Sequence, residues 1–266
     1  MPCLNMIWVK IPNKNPILVK NVETERRQPV PCGKCAGCMQ MKRNSWTFRL
    51  LEQEKTAQSS TFLTLTYNNE QIRQSNGVQT LDKKDLQNYF KRVRKTNEKL
   101  KYYAVGEYGE KSGRPHYHAI VFNASRTDLR NRWSANGGPI GNVRTDTVTQ
   151  ASIHYVTKYL INNVQFGYTK RLRPFSIMSK GLGLEYTNLC KKYHKDKMED
   201  VVIYAGGTKQ KMPRYIKDKI FNPEEQKIIS EKNKENLPEI SYEEFLGRNK
   251  AIRYKSERSS KSNNLK

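Results

Sequence analysis

A chain of 266 residues with 49 Lys and Arg against 25 Asp and Glu carries a formal charge of +24, which points to a polyanionic partner, nucleic acid first. No apolar run approaches the roughly 18–20 residues of a membrane span, and the opening MPCLNMIWVKIPNK lacks the long apolar core of a signal peptide, so the expectation is a soluble cytoplasmic protein without a membrane partner. Five cysteines, three of them crowded together, do not read as a disulfide framework and suit a reducing compartment.

The stretch up to Cys38 is interrupted by Pro2, Pro12, Pro16, Pro29 and Pro31, which predicts a small irregular lobe. Cys32, Cys35 and Cys38 are spaced to wrap a metal, and Cys3 could complete a tetrahedral structural Zn²⁺ site for a lobe too small to fold alone. An iron–sulfur cluster and unligated thiols are the competing readings. Cys190 reads as an ordinary thiol.

From Met39 to Thr56, Trp46, Leu50 and Gln53 follow helical spacing. Thr61–Tyr67 alternates Thr with Leu and Tyr, which predicts a strand. Leu86, Tyr89, Phe90 and Val93 recur at i, i+3, i+4 and i+7 and predict an amphipathic helix over 81–97. Its Lys91, Arg92, Arg94 and Lys95 suit the helix dipole and DNA phosphates alike, as do Lys34, Lys42 and Arg43 on an earlier segment, although a solvated face explains any single one of them.

Two strands follow, Tyr102–Tyr108 and His116–Phe122, and the turn-rich Gly109–Gly113 between them predicts a hairpin. A short helix at Arg126–Trp133, a strand from Gly141 to Thr147 and a helix over Ala151–Asn162 complete a βαββαβ order with a trailing helix. That order predicts an α+β fold, a ferredoxin-like split βαβ antiparallel sheet with helices on one face. Past Phe175 the pattern weakens to a strand at Val201–Tyr204 and a basic helix or turn at Pro213–Ile220. After Pro223 a helix is expected to fade into a disordered basic tail from about Ser256. The expected division is a Cys-rich lobe and helix (1–56), a core (57–175), an extension of that core (176–222) and a basic tail (223–266).

His116-Tyr117-His118 opens a predicted strand, so both imidazoles share one face while Tyr117 turns to the core. Closure of the hairpin brings Glu107 roughly opposite His116, with Glu110 as the reserve carboxylate. Two imidazoles and a carboxylate suit Mg²⁺ or Mn²⁺ able to polarise a phosphodiester. Two strand histidines bonded to neighbours are the plain alternative.

Tyr155 and Tyr159, four apart on a predicted helix, stack on one face, and the flanking Lys158 ammonium would favour a phenolate. A tyrosine can attack a phosphodiester whose charge a metal neutralises, leaving a 5′-phosphotyrosine and a free 3′-OH. With 15 tyrosines in the chain, a packed aromatic stripe would give the same spacing.

Arg114-Pro-His-Tyr-His118 followed by Ala-Ile-Val-Phe122, with the Tyr155/Tyr159 helix after it, resembles the HUH endonucleases, and this order of motifs resembles their replication-initiator branch. With Pro31-Cys-Gly-Lys-Cys-Ala-Gly-Cys38 and Val105-Gly-Glu-Tyr-Gly109 added, residues 1–220 resemble the replication initiators of the gokushovirus group of the Microviridae. The resemblance implies His116 and His118 as metal ligands, Glu107 as the more variable third ligand, and Tyr155 and Tyr159 as alternating nucleophiles. It also implies nicking of the viral strand at an origin in the host cytoplasm, a 3′-OH primer for rolling-circle synthesis, and host polymerase and helicase as partners. A non-catalytic nucleic-acid-binding protein on the same sheet, or a metal nuclease that uses water, are the competing functions.

Overall fold

In a computed structural model the described residues are 3, 6–10, 27–110, 112–135, 137–162, 171–204 and 207–235, with isolated positions from 241 to 254. The chain forms two compact units, Met1–Lys42 with Glu239–Lys266, and Arg43–Pro238. The elements run β1 (Ile7–Lys10), β2 (Arg27–Val30), α1 (Ala36–Thr56), β3 (Ser60–Thr66), β4 (Gln74–Ser75), β5 (Val78–Gln79), α2 (Lys83–Arg94), β6 (Lys101–Tyr108) and β7 (Pro115–Phe122). They continue with α3 (Arg126–Asn131), β8 (Ser134–Ala135), β9 (Gly138–Pro139), β10 (Val143–Asp146), α4 (Gln150–Asn162), β11 (Phe175–Met178), α5 (Glu185–Lys197), β12 (Val201–Ile203), β13 (Lys209–Lys211), α6 (Arg214–Ile220) and α7 (Pro223–Glu235). In the first unit β1 pairs antiparallel with β2, Ile7 opposite Val30.

The second unit is built on a five-stranded sheet in the order β10-β3-β7-β6-β11, antiparallel at every neighbour. Alternation sorts its side chains onto two faces. Leu63, Leu65, Ala104, Tyr117, Ala119 and Val121 face α2 and α3, meeting Leu86, Tyr89, Phe90, Val93 and Leu129. The α2 helix starts where Asp82 caps it, its carboxylate accepting from the N–H groups of Lys84 and Asp85 at 2.6 and 3.2 Å. The Tyr117 phenol donates to the Asp82 carbonyl at 2.9 Å and accepts from the Asp82 N–H at 2.8 Å, which locks β7 to the start of α2.

The opposite face carries Tyr103, Val105, Ile120 and Phe122, covered by Leu50 of α1 and by Ile153 and Val156 of α4. Helices therefore lie on both faces of the sheet, which corrects the expectation of one covered face. The reason is in β6 and β7, which are apolar on both sides along most of their length and so need two covers. On the far side of α1, Phe48 joins Val202, Met212, Ile216, Ile220, Phe221 and Ile229 in a third cluster, so α1 buries more than one side. The fifth strand, β11, and the helix α5 were not expected from sequence; the tail from Ser256 lies outside the described residues.

Two stability predictions arise here. Gly141 passes so close to β3 that a Cβ would stand 1.7 Å from the Thr66 carbonyl oxygen. Gly141→Ala is expected to cost about 3 kcal/mol or more in denaturant unfolding, because backbone rather than a flexible side chain must move; a loss below about 1 kcal/mol would show that the loop gives way easily.

The second concerns Lys217 Nζ, which lies 2.6 Å from Oδ2 of Asp200, a side chain only 2% exposed, while Asn233 Nδ2 donates to Oδ1 at 3.0 Å. Burial pushes the Asp200 carboxyl up, but the Lys217 ammonium and the Asn233 bond outweigh it and hold the group below the usual carboxylate range. A depressed carboxylate contributes stability above its unfolded pKa of about 3.9 and loses it as pH falls through the folded value. Lys217→Met strands the buried charge and is expected to cost about 3 kcal/mol at neutral pH. The penalty should shrink as acid protonates Asp200, so a pH-independent loss in urea titrations would contradict this account.

Candidate active site

The β6–β7 turn is closed by Gly109 N–H to the Arg114 carbonyl at 2.9 Å and Gly113 N–H to the Gly109 carbonyl at 2.8 Å, with Gly113 at a φ of +61° that other residues avoid. That closure sets Glu107 directly opposite His116, while β3 on the other side sets Thr66 opposite His116 and Thr64 opposite His118. All these side chains project from the face covered by α1 and α4.

Oε1 of Glu107 lies 3.0 Å from Nε2 of His116 and 3.1 Å from Nε2 of His118. The three ligand atoms fall within 4.8 Å of one another, so the cluster can hold a metal ion. Glu107 and His118 are buried and His116 is half-buried.

The outer ring nitrogens are occupied. Nδ1 of His116 is 3.1 Å from the Arg114 carbonyl, which can only accept, so Nδ1 carries a proton. Nδ1 of His118 is 3.0 Å from the Thr64 hydroxyl. In the neutral Nδ1–H form each Nε2 lone pair would face the same carboxylate oxygen, an arrangement that requires a proton or a cation between them. Burial pushes the Glu107 carboxyl up, yet hydrogen bonds from His116 and His118 bring it below its ordinary value. Burial alone would lower the His116 imidazole, but the Glu107 carboxylate outweighs it and raises it. The donor set thus fits a divalent cation that takes imidazole and carboxylate together.

The α4 helix delivers the tyrosine. Its start is fixed by a reciprocal pair, Thr149 N–H to Ser152 Oγ at 2.8 Å and Ser152 N–H to Thr149 Oγ1 at 3.1 Å. Ile153 and Val156 are fully buried against the sheet, and Thr157 meets Thr47 of α1 at 3.0 Å between hydroxyl oxygens. These contacts leave Tyr155 beside the cluster, its phenol oxygen 3.5 Å from both Glu107 Oε1 and His118 Nε2, with the residue 40% exposed. Its ring stands edge-on to His118 at 5.2 Å and to Phe62 at 6.2 Å, and Phe62 stacks parallel to the His118 imidazole at 5.5 Å. Thr64 and Phe62, which hold and orient His118, were missed in the sequence; the only signal was their period-2 position in the first strand.

Lys158 is half-buried on the same helix. The Tyr159 side chain lies outside the described residues, although its backbone continues α4. Lys91, Arg92 and Arg94 are carried by α2, and Lys95 caps its C-terminus, so these basic residues belong to the helix on the opposite face of the sheet from Glu107, His116 and His118. Arg92 is engaged there with the Arg132 carbonyl at 3.1 Å. Arg43 is half-buried, Lys34 in the first unit is exposed, and Glu110 sits in the turn, exposed. In that first unit the thiols of Cys3, Cys32, Cys35 and Cys38 also gather within 4.8 Å of one another, a second group able to hold a metal.

An α+β protein with a carboxylate and two imidazoles converging beside an accessible tyrosine is, by its chemistry, a candidate for phosphodiester work. Residues 60–164, which carry four of the sheet's five strands, the cluster and α4, match the family of replication-associated protein ORF2/G2P. The chain is 28% identical over 236 residues to replication-associated protein ORF4 of Chlamydia phage 1, covering 76% of this chain and 55% of that one. It is 29% identical over 213 residues to replication-associated protein ORF2 of Spiroplasma virus 4, and 26% identical over 212 residues to replication-associated protein VP4 of Bdellovibrio phage phiMH2K. Those alignments cover 70% and 71% of this chain and 66% of each relative, so the chain spans about half the length of the first relative and about two thirds of the other two. No solved structure matches. The chain is thus a relative of phage replication-associated proteins, in agreement with the resemblance its motifs carry to the gokushovirus initiators.

Proposed function

We propose that this chain is a rolling-circle replication initiator that nicks one DNA strand at an origin by tyrosine attack. The observation that carries the reading is the Tyr155 phenol oxygen, 3.5 Å from both Glu107 and His118 on a side chain that remains accessible. The strand order supports a ferredoxin-like arrangement: across the sheet the strands run β10, β3, β7, β6, which are the fourth, first, third and second of these four in the chain, with α2 and α3 as the connecting helices. We assign residues 57–175 as the endonuclease core, 1–56 as the Cys-rich lobe and helix, 176–222 as an extension and 223–266 as a basic tail.

Glu107, His116 and His118 would hold Mg²⁺ or Mn²⁺, whose chemistry is to neutralise charge developing on a phosphodiester. The Tyr155 oxygen attacks phosphorus in line; a tyrosyl O–P bond forms as the P–O3′ bond breaks. The phenol loses one proton and the departing 3′ oxygen gains one, so a 5′-phosphotyrosine and a free 3′-OH result without net hydrolysis. The retained bond energy allows Tyr159 to make a second cut in the same way, and the 3′-OH freed by that cut attacks the phosphorus held on Tyr155, forming a P–O3′ bond that rejoins the DNA as the tyrosyl O–P bond breaks and the phenol regains its proton. The charge of +24 supplies salt-dependent affinity for the DNA backbone, to which Lys34, Arg43 and the α2 cations would add. The 3′-OH would serve host polymerase, with host helicase opening the duplex, in the host cytoplasm; among the described residues no helix is long and apolar enough to cross a membrane.

The test is incubation of the protein with Mn²⁺ and labelled single-stranded oligonucleotides tiled across the replication origin of its genome. An adduct stable to heat and SDS, formed only with metal, is expected. Cleavage without an adduct would assign the attack to water, and binding without cleavage would leave a nucleic-acid-binding module.

A further inference from the structure

The first unit holds a cluster of ligating side chains that the nicking chemistry does not use. Cys32 and Cys35 lie in the turn that leads into α1, Cys38 is in its first turn, and Cys3 returns to them from 29 residues before Cys32. Cys35 Sγ lies 3.8 Å from Cys3 Sγ, and Cys32 Sγ lies 4.0 Å from Cys38 Sγ. A disulfide would require about 2.05 Å. Four sulfurs at about 2.3 Å around one tetrahedral ion are separated by about 3.8 Å along each edge.

The backbone around these sulfurs donates to them. Cys32 N–H points at Cys3 Sγ at 3.2 Å, and the N–H groups of Lys34 and Cys35 point at Cys32 Sγ at 3.5 and 3.3 Å. Donors aimed at sulfur favour the thiolate over the thiol, and the N-terminal end of the 21-residue α1 adds positive potential beside Cys35 and Cys38. Four converging sulfurs with backbone donors aimed at them suit a cation in place of the thiol protons.

We infer that Cys3, Cys32, Cys35 and Cys38 bind one Zn²⁺ ion as a structural site that ties the start of the chain to the N-terminus of α1. Four thiolates in tetrahedral disposition select a soft d¹⁰ ion over Mg²⁺ or Mn²⁺, and four protein ligands leave no position open for catalysis. Binding exchanges four thiol protons for the ion, leaving a centre of net charge −2 that the exposed Lys34 and the helix end offset. A cubane iron–sulfur cluster is a poor fit, because its cysteine sulfurs stand outside four irons, farther apart than the 4.8 Å that encloses all four here.

The experiment is elemental analysis of the full-length protein purified without chelator. About one zinc per chain is expected in the wild type and in His116→Ala, whose other metal cluster is broken, and less than about a tenth in Cys35→Ser. Cobalt exchanged into the wild type should give thiolate charge-transfer and tetrahedral d–d bands, a readout that does not depend on the cysteine variant folding. Zinc-free wild-type protein whose five cysteines all react at once with a thiol reagent would overturn the inference, as would stoichiometric iron. Metal content is read without DNA, so failure here and failure of the nicking reaction are separate results.

Discussion

Tyr155→Phe is expected to lower formation of the covalent protein–DNA adduct by about 10³-fold or more, because the substitution removes the attacking oxygen and nothing else. The Phe ring keeps the edge-on contacts with His118 and Phe62 at 5.2 and 6.2 Å, and the phenol oxygen's contacts with Glu107 and His118 stand at 3.5 Å, too far for strong hydrogen bonds. The folding free energy should therefore move by less than about 0.5 kcal/mol. Tyr159→Phe should leave the first cut intact and impair the later strand transfer, and the double variant should form no adduct. Denaturing gels with a single-stranded oligonucleotide separate these outcomes. If Tyr155→Phe still forms the adduct at wild-type yield while Tyr159→Phe does not, the assignment of the first nucleophile is reversed.

The part of this site that was legible in sequence is the part set by local periodicity. His116 and His118 are two apart on a strand, so they must share a face, and a five-residue turn rich in glycine brings Glu107 opposite His116. Tyr155 was legible only as a member of an i, i+4 pair; its place beside Glu107 depends on α4 packing through Ile153 and Val156, a contact across the sheet that no short window encodes. Thr64 and Phe62 escaped for the same reason, since their role rests on the register of β3 against β7, strands separated by about fifty residues. The second covered face escaped because α1 buries Leu50 toward the sheet and Phe48 away from it, which blurs the single apolar stripe expected of a surface helix. Helix α5 is Lys- and Tyr-rich with only Thr187 and His194 buried, and β11 is four residues long, so neither carries a strong periodic signal. The basic turn of α2 shows the reverse limit: its charge was plain, but the face of the sheet it occupies was not.

Glu107→Gln is expected to reduce metal-dependent nicking by about 100-fold or more while leaving the fold intact. The carboxylate is 5% exposed, and an amide of the same shape removes the cost of burying its charge while its oxygen and nitrogen stay within reach of His116 and His118. What the amide loses is the negative charge that two neutral imidazoles cannot supply to a divalent ion. The measurement is the melting temperature with and without Mn²⁺. An ion that binds the folded state alone raises stability by RT ln(1 + [L]/Kd), about 2.7 kcal/mol at a hundredfold excess over Kd, so the wild type should melt higher with Mn²⁺. Glu107→Gln should respond little to Mn²⁺ and melt slightly below the metal-free wild type, because the imidazoles that hold the carboxyl below its ordinary value stabilise its charge in the folded state. A zinc held by the four cysteines would be present in both proteins and cancels from this comparison. A variant that nicks and shifts with Mn²⁺ like the wild type would remove Glu107 from the ligand set and turn attention to a carboxylate outside the paired strands. Loss of nicking together with a large fall in the metal-free melting temperature would instead make the Glu107–His116–His118 contacts a structural device, the plain alternative for a His-x-His strand.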